Sequence, residues 1–250
     1  MSDTSIIIKQ CDSLVYLPEL SLHCPGHFDL IVTDPPYWTL DKWRNMGTTT
    51  RLGGHRDKDK QDDSRWFPTI DHDDLWKCLG EFYTLLNKDS IAYVFADHEV
   101  MPLLLGMARE GGIGFTYSKP LVWDKVTPGM GYHWRAQTEF IVMLCKGKPQ
   151  LRDRSRPDLL RYPKLKGPQY YPTEKPLDLI RVLIENSSDA GDNVLDPFCG
   201  SGVVGEACCL LGRNATLLDI ETRAIQYTDA RCRFLGSGMV STQTMEEETP

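Results

Sequence analysis

Apolar positions along this chain fall into short bursts of two kinds. Phe28-Asp29-Leu30-Ile31-Val32-Thr33 is a near-continuous apolar run. It has the pattern of a strand covered on both faces, as in a parallel sheet. Residues 5–9, 91–96, 115–123, 139–145, 193–196 and 215–220 read as further strands. Other bursts recur at helical spacing. Leu75, Leu79, Phe82 and Leu86 predict a helix over 71–86, with Asp71 as its N-cap. Helices are also predicted over 100–110, closed by Gly111-Gly112, over 177–187, over 203–211, ended by Gly212, and over 222–235. Strands alternating with helices predict an α/β sheet with helices on both faces.

Between these elements lie stretches without period. The strand at 28–33 must end at Asp34-Pro35-Pro36-Tyr37, because two prolines cannot continue a ladder. Residues 38–70 are polar and aperiodic, too long for an idle connection. Residues 237–250 read as an unstructured tail. The expected organisation is one domain over 1–236 with two inserted loops, 38–70 and 146–170.

Length and composition narrow the class. A chain of 250 residues, 41% hydrophobic, can bury a core without disulfide or metal staples. No apolar run approaches the roughly 18 residues of a membrane span. Met1-Ser2-Asp3-Thr4-Ser5 lacks the basic and apolar regions of a signal peptide, so a cytoplasmic location is expected. Eight cysteines without a C-x-x-C pair fit reduced thiols, and no metal site is expected. The net charge of −7 argues weakly against a polyanionic partner. Charge is uneven, however. Between Lys146 and Lys166 eight basic residues face two acidic ones, which reads either as a solvated loop or as a surface for phosphates.

The most informative segment is Asn193-Val194-Leu195-Asp196-Pro197-Phe198-Cys199-Gly200-Ser201-Gly202: strand, tight glycine turn, then helix. Glycines let backbone approach a ligand closely, and a helix N-terminus offers free N–H groups. Gly200-Ser201-Gly202-Val203-Val204-Gly205 satisfies G-x-G-x-x-G, and Asp219 ends the next strand where a ribose would be bound. Alone, that motif fits an NAD-dependent oxidoreductase. The turn lies at residue 200 of 250, though, leaving too little chain after it for the usual dinucleotide sheet. The remaining strands must precede it, in permuted order.

Three pieces in sequence carry a family resemblance: Thr33-Asp34-Pro35-Pro36-Tyr37-Trp38, Tyr171-Pro172-Thr173-Glu174-Lys175-Pro176, and Leu195 through Gly202. Gly212-Arg213 and Asp219-Ile220-Glu221 complete the set. The chain resembles the DNA amino-methyltransferases of the beta order, in which the catalytic motif precedes the cofactor loop. The resemblance spans roughly residues 7–235. It implies a Rossmann-like S-adenosylmethionine-dependent methyltransferase sheet, double-stranded DNA as partner, contacted by the inserted loops 38–70 and 146–170, and a place among restriction-modification enzymes, with dimerisation and a restriction partner left open. It further implies that Asp196, Pro197, Phe198, Gly200, Ser201 and Gly202 wrap the methionine half of S-adenosylmethionine. Asp219 would bind the ribose, where the family usually has glutamate. Thr173 and Lys175 would hold the methionine carboxylate, and Asp12 would contact the cofactor's adenine ring. Tyr171 stands where the family has histidine and receives no role.

The catalytic expectation follows from the chemistry of the amine. An adenine amine is a poor nucleophile because its lone pair is delocalised into the ring. A carboxylate accepting one N–H and a carbonyl accepting the other would draw the nitrogen toward tetrahedral geometry. Asp34 can supply the first and Pro35 the second, while Pro36 stiffens the turn. Tyr37 would offer a face on which an extruded base stacks. No Pro-Cys pair is present, so Cys199 reads as a packing residue rather than a nucleophile. Adenine is expected over the cytosine amine, since family members with aspartate at the Asp34 position mostly methylate adenine. A catalytically silent nucleic-acid binder on the same fold is the remaining alternative.

Overall fold

The computed structural model describes residues 4–40, 68–129, 133–165, 171, 174–235 and 239–244. Strands β1 (Ser5–Gln10), β2 (Phe28–Thr33), β3 (Leu86–Ala96), β4 (Tyr117–Asp124), β5 (Thr138–Lys146), β6 (Leu159–Arg161), β7 (Asn193–Asp196), β8 (Asn214–Asp219) and β9 (Met239–Gln243) form one sheet. Its order is β6-β4-β5-β3-β2-β7-β8-β1-β9. Among these strands pairing is antiparallel where β5 meets β3 and β4, and parallel elsewhere.

Helices α1 (Ser13–His23), α2 (His72–Leu85) and α3 (Val100–Glu110) cover one face, and α4 (Leu177–Ser187), α5 (Val203–Leu211) and α6 (Thr222–Phe234) the other. Alternate residues of β2 serve the two layers. Leu30 and Val32 pack with Ile180, Leu183, Val204 and Ile225, while Phe28 and Ile31 pack with Leu75, Leu79, Phe82 and Leu104. That double burial is why β2 reads as an unbroken apolar run.

The strand directions create the site. Chain leaving β2 crosses to β3, and chain leaving β7 crosses to β8 in the opposite direction. Between β2 and β7 the connections therefore diverge, opening a crevice at the carboxyl ends of the strands, where α/β sheets bind ligands.

Three elements depart from the sequence expectation. Helix α1 carries no apolar stripe to announce it, because its buried residues are Ser13, Leu17 and Ser21 and it contains Pro18. Strand β6 is three residues long and lies within the proline-rich basic segment. Residues 239–243, expected as part of an unstructured tail, instead form β9 and extend the sheet beside β1. Its sequence, Met-Val-Ser-Thr-Gln, is polar because an edge strand buries little. No helix among the described residues is long and apolar enough to cross a membrane.

Candidate active site

At the carboxyl end of the sheet lies a cavity of ≈ 420 Å³. Its wall collects residues from strand ends far apart in sequence: Asp12 after β1, Asp34 through Tyr37 after β2, Lys125 after β4, Asp196 ending β7, and Asp219 ending β8. Phe198, Gly200, Ser201, Lys175 and Glu139 also line it. The fold thus gathers most of the residues marked by sequence into one hollow.

Two contacts fix the Asp34-Pro35-Pro36-Tyr37 turn. The Ile70 N–H donates to the Pro36 carbonyl at 2.8 Å. The Tyr37 hydroxyl donates to the Phe95 carbonyl, and its ring is buried, edge-on to Trp38 at 6.4 Å. Tyr37 is therefore a locked wall of the cavity rather than a mobile clamp. Phe95 and Trp123 add two further aromatic rings to that wall.

Beneath the turn lies a chain of alternating charges. The Lys175 ammonium contacts Asp34 and stands 4.0 Å from Glu139, and Lys125 donates to Glu139 at 2.8 Å. Burial pushes the Asp34 carboxyl upward, only partly opposed by Lys175. Burial would also raise Glu139, but Lys175 and Lys125 together hold it below the ordinary range. Burial would lower Lys175, yet its two carboxylate neighbours keep it above the ordinary lysine value. The ammonium is thus firmly charged and poised between two anions. Sequence reasoning did not single out Glu139; Lys125 belongs to Trp123-Asp124-Lys125, which resembles a family motif flanking the target-base pocket, without the role of partner to Glu139. The available signal was a glutamate at the head of the apolar run Phe140–Cys145, where a charge demands a partner.

A second set of contacts shapes the glycine turn. Gly200 and Gly202 have φ of 47° and 75°, in the left-handed region that favours glycine. A Cβ on Gly202 would stand 2.7 Å from the Thr228 Cα, so the turn is pressed against α6. Asp219 accepts the Gly200 N–H at 2.9 Å through one oxygen and the Glu221 N–H at 2.9 Å through the other. Arg231 bridges the turn to its neighbours, donating to the Ser201 carbonyl at 3.0 Å while pairing with Glu174 and with Glu206 at 3.1 Å. Tyr171 packs over Gly200 and lies edge-on to Tyr227. Cys199 is buried, and burial drives its thiol well up, which suits a packing residue and not a nucleophile.

Asp196 is the buried acid of this set. Burial pushes its carboxyl up to about 8, and the nearby charges of Asp219 and Asp34 reinforce the shift against the Phe198 amide that bonds it. A folded-state value above the unfolded one means that stability is full in acid and lost as pH rises from about 4 to about 8. Asp196→Asn keeps an acceptor for the Phe198 amide but cannot ionise. Its melting temperature relative to the wild type is expected to climb across that window, measured by thermal unfolding at stepped pH. A constant difference would refute the assignment.

Other residues marked by sequence fall elsewhere. Thr173 lies outside the described residues, as does 41–67 of the first inserted loop. Pro197 and Gly202 do not line the cavity, and the Pro197 carbonyl accepts from the Ser13 hydroxyl. Asp12 lines the cavity but also caps α1 by accepting the Leu14 N–H at 2.9 Å. Gly212-Arg213 is a structural joint, with Arg213 buried and donating to the Ser188 carbonyl at 2.7 Å.

The basic run is divided between the two ends of the sheet. Because β5 runs against its neighbours, the residues that follow it emerge at the opposite end of the sheet from the cavity. Lys146 turns inward to the Tyr83 and Leu86 carbonyls, at 2.7 and 2.6 Å. Arg152 pairs with Asp189 and Arg156 with Asp153. Along β6 the chain returns to the cavity side, where Arg161 at its end pairs with Asp124 and Lys164 joins the cavity lining.

Comparison with known proteins agrees with this arrangement. The family model N6_N4_Mtase, described as DNA methylase, matches residues 28–230. The Escherichia coli (strain K12) protein YubD is 32% identical over 190 residues, covering 76% of this chain and 75% of its own. The type II methyltransferase M2.MboI of Moraxella bovis is 24% identical over 223 residues, covering 81% and 80% respectively. Among solved structures, TTHA0409 of Thermus thermophilus, complexed with S-adenosyl-L-methionine, superposes with a TM-score of 0.66 at 19% identity, covering 96% of this chain and 99% of its own. The cytosine-N4-specific PvuII DNA methyltransferase superposes with a TM-score of 0.62 at 14% identity, covering 96% of each chain.

Proposed function

The chain belongs to the DNA methylase family whose model spans its residues 28–230, and on that footing we propose that it transfers a methyl group from S-adenosylmethionine to the N6 amine of adenine in double-stranded DNA. The observation that carries the reading is the meeting of Asp34, Lys175, Gly200 and Asp219 around one cavity at the divergence of the sheet.

The residues present fit the methyl donor. S-adenosylmethionine carries a sulfonium cation, and six carboxylates besides the raised carboxyl of Asp196 line the cavity against three lysines. Gly200 and Ser201 lead into the N-terminus of α5, where backbone N–H groups attract a carboxylate. Lys175 has three donors, so it can serve a ligand carboxylate without abandoning Glu139. Asp219, already aligned by two amides, would bind the ribose hydroxyls, and Asp12 would meet the adenine ring. When bound, the donor supplies an electrophilic methyl carbon.

The chain's own contribution is then positioning and electrostatics. Asp34 accepts one N–H of the target amine and the Pro35 carbonyl the other. Pro36 and Tyr37, held by Ile70 and Phe95, keep those acceptors rigid. Tyr37, Phe95 and Trp123 offer aromatic faces to an extruded base. Adenine is favoured over cytosine because the motif opens with aspartate and because a purine gains more stacking area. Incubating the protein with DNA and the methyl-labelled donor tests the reading, and label in the DNA is the expected outcome. No transfer to DNA, together with calorimetric binding of NAD in place of S-adenosylmethionine, would return the site to the oxidoreductase alternative.

DNA must approach the cavity end, so phosphate contacts are expected from Arg161 and Lys164 and not from the far-end arginines. Lys164→Ala is expected to lower the salt slope of DNA binding by about one unit. The triple change Arg152→Ala, Arg154→Ala, Arg156→Ala is expected to leave the slope unchanged. Binding isotherms at several salt concentrations decide between these, and the opposite ranking would place the DNA on the other end of the sheet.

A further inference from the structure

Trp134 is fully exposed, the most exposed large apolar side chain among the described residues. It sits on the connection between β4 and β5, whose two roots supply Lys125 and Glu139 to the cavity wall. An indole in water is unusual in a folded domain, since tryptophan is among the residues most buried on average.

The described residues on either side of this connection are pinned. The Lys125 N–H donates to the Gln137 carbonyl at 2.9 Å, and the Gly129 N–H to the Ala136 carbonyl at 2.8 Å. Next to the tryptophan, the Arg135 Nε donates to the Gly129 carbonyl at 2.7 Å, spanning the loop. Asp124 ties the root by accepting from the Val126 N–H and the Gln137 amide, both at 2.8 Å, and from Arg161 at 2.9 Å. Val126 itself is held at φ 67°. That is a strained conformation for a β-branched residue, and it persists only where the surroundings over-determine the backbone. Strain, stapled loop roots and a bare indole coincide on a connection rooted in the wall of the cavity that would take the base.

We propose that Trp134 is a wedge that enters the DNA stack when the target nucleotide leaves it. The inference rests on the DNA-methyltransferase reading. Bringing a base to Asp34 requires it to swing out of the duplex, which leaves a gap and costs the lost stacking. An apolar side chain inserted at that step fills the gap. An indole offers the largest stacking face of any side chain, and it is sequence-tolerant because every base has a π-face. Arg135, next in sequence to the tryptophan, and Lys164, whose N–H donates to the Lys125 carbonyl at 3.4 Å, add positive charge suited to the flanking phosphates. Trp134 acts through the extruded base and not on the reacting atoms, so it is a positioning residue.

The test compares wild type, Trp134→Ala and Trp134→Phe on two duplexes carrying a site that the wild type methylates. One duplex is fully paired, and the other has an abasic position opposite the target base. On the paired duplex Trp134→Ala is expected to lose about 10- to 100-fold in kcat/KM, the range of one stacked base. Trp134→Phe is expected to recover most of that loss. On the abasic duplex, where the target is already unpaired, the penalty is expected to shrink to a few-fold at most. Unchanged affinity for S-adenosylmethionine by calorimetry would show that Trp134→Ala keeps its fold. An equal loss on both duplexes, or no loss on the paired one, would overturn the wedge. A wild type that methylates no DNA would instead overturn the functional reading on which it rests.

Discussion

Asp34→Ala is expected to lower methyl transfer by about 10³-fold, the scale of removing one pre-aimed hydrogen-bonding group from a transition state. Affinity for S-adenosylmethionine is expected to be unchanged or slightly tighter. Asp34 stands at the end of β2 on the cavity wall, braced by two prolines and by Tyr37. Its partner in the structure is Lys175, so removing the carboxylate frees an ammonium for the cofactor side. The two readouts therefore move apart, which a merely unfolded variant could not imitate. The wild-type pH profile carries the same signature. Burial raises the Asp34 carboxyl above its ordinary value. Only the ionised form accepts the amine N–H without a competing proton, so activity falls as pH drops through that raised value. The acid limb is thus expected above the ordinary aspartate range of about 4. A variant with near wild-type turnover, or one losing cofactor affinity in step with turnover, would remove Asp34 from the chemistry.

Lys175→Met carries the second large effect, and it should appear in stability as well as activity. The substitution leaves Asp34 and Glu139 facing each other without the cation between them. Breaking a buried pair costs about 3–5 kcal/mol. The lower end is expected here, because a third of the Asp34 side chain reaches solvent. The loss must depend on pH. Without Lys175 the Asp34 carboxyl rises further, Glu139 loses one of the two cations that hold it down, and the folded state then holds the Asp34 proton more tightly than the unfolded chain. Stability in the variant is therefore lost progressively as pH rises above about 4. Urea unfolding at pH 5 and pH 8 should show the wild-type advantage widening at the higher pH. Adding Glu139→Gln to Lys175→Met is expected to restore part of the loss, since one of the two facing charges is gone. A pH-independent loss, or no rescue, would mean that the charge chain does not work as a unit.

Legibility in the sequence tracked burial. Strand β2 and helix α2 were readable because both faces of one and one stripe of the other are apolar; the α2 cap at Asp71 accepts the Asp74 N–H as expected. Helix α1 was not, because serines serve on its buried side. Strand β3 begins at Leu86 and not near 91, since Asn87, Lys88 and Asp89 are exposed and polar within it. The site was legible where a motif forces local geometry, as at Asp34-Pro35-Pro36-Tyr37 and at the glycine turn. It was not legible where a side chain acts through partners distant in sequence. Glu139 gains meaning only once β5 is seen to run against β3 and bring it beside Lys175. The basic run shows the converse. Its residues are contiguous in sequence, but the direction of β5 carries most of them to the end of the sheet opposite the cavity.

The most direct measurement identifies the modified base itself. DNA incubated with the purified protein and methyl-labelled S-adenosylmethionine is digested to nucleosides and resolved by mass spectrometry. Label in 6-methyladenine is the expected result. Label in 4-methylcytosine with none in 6-methyladenine would contradict the adenine assignment, and no labelled nucleoside at all would contradict the proposed activity.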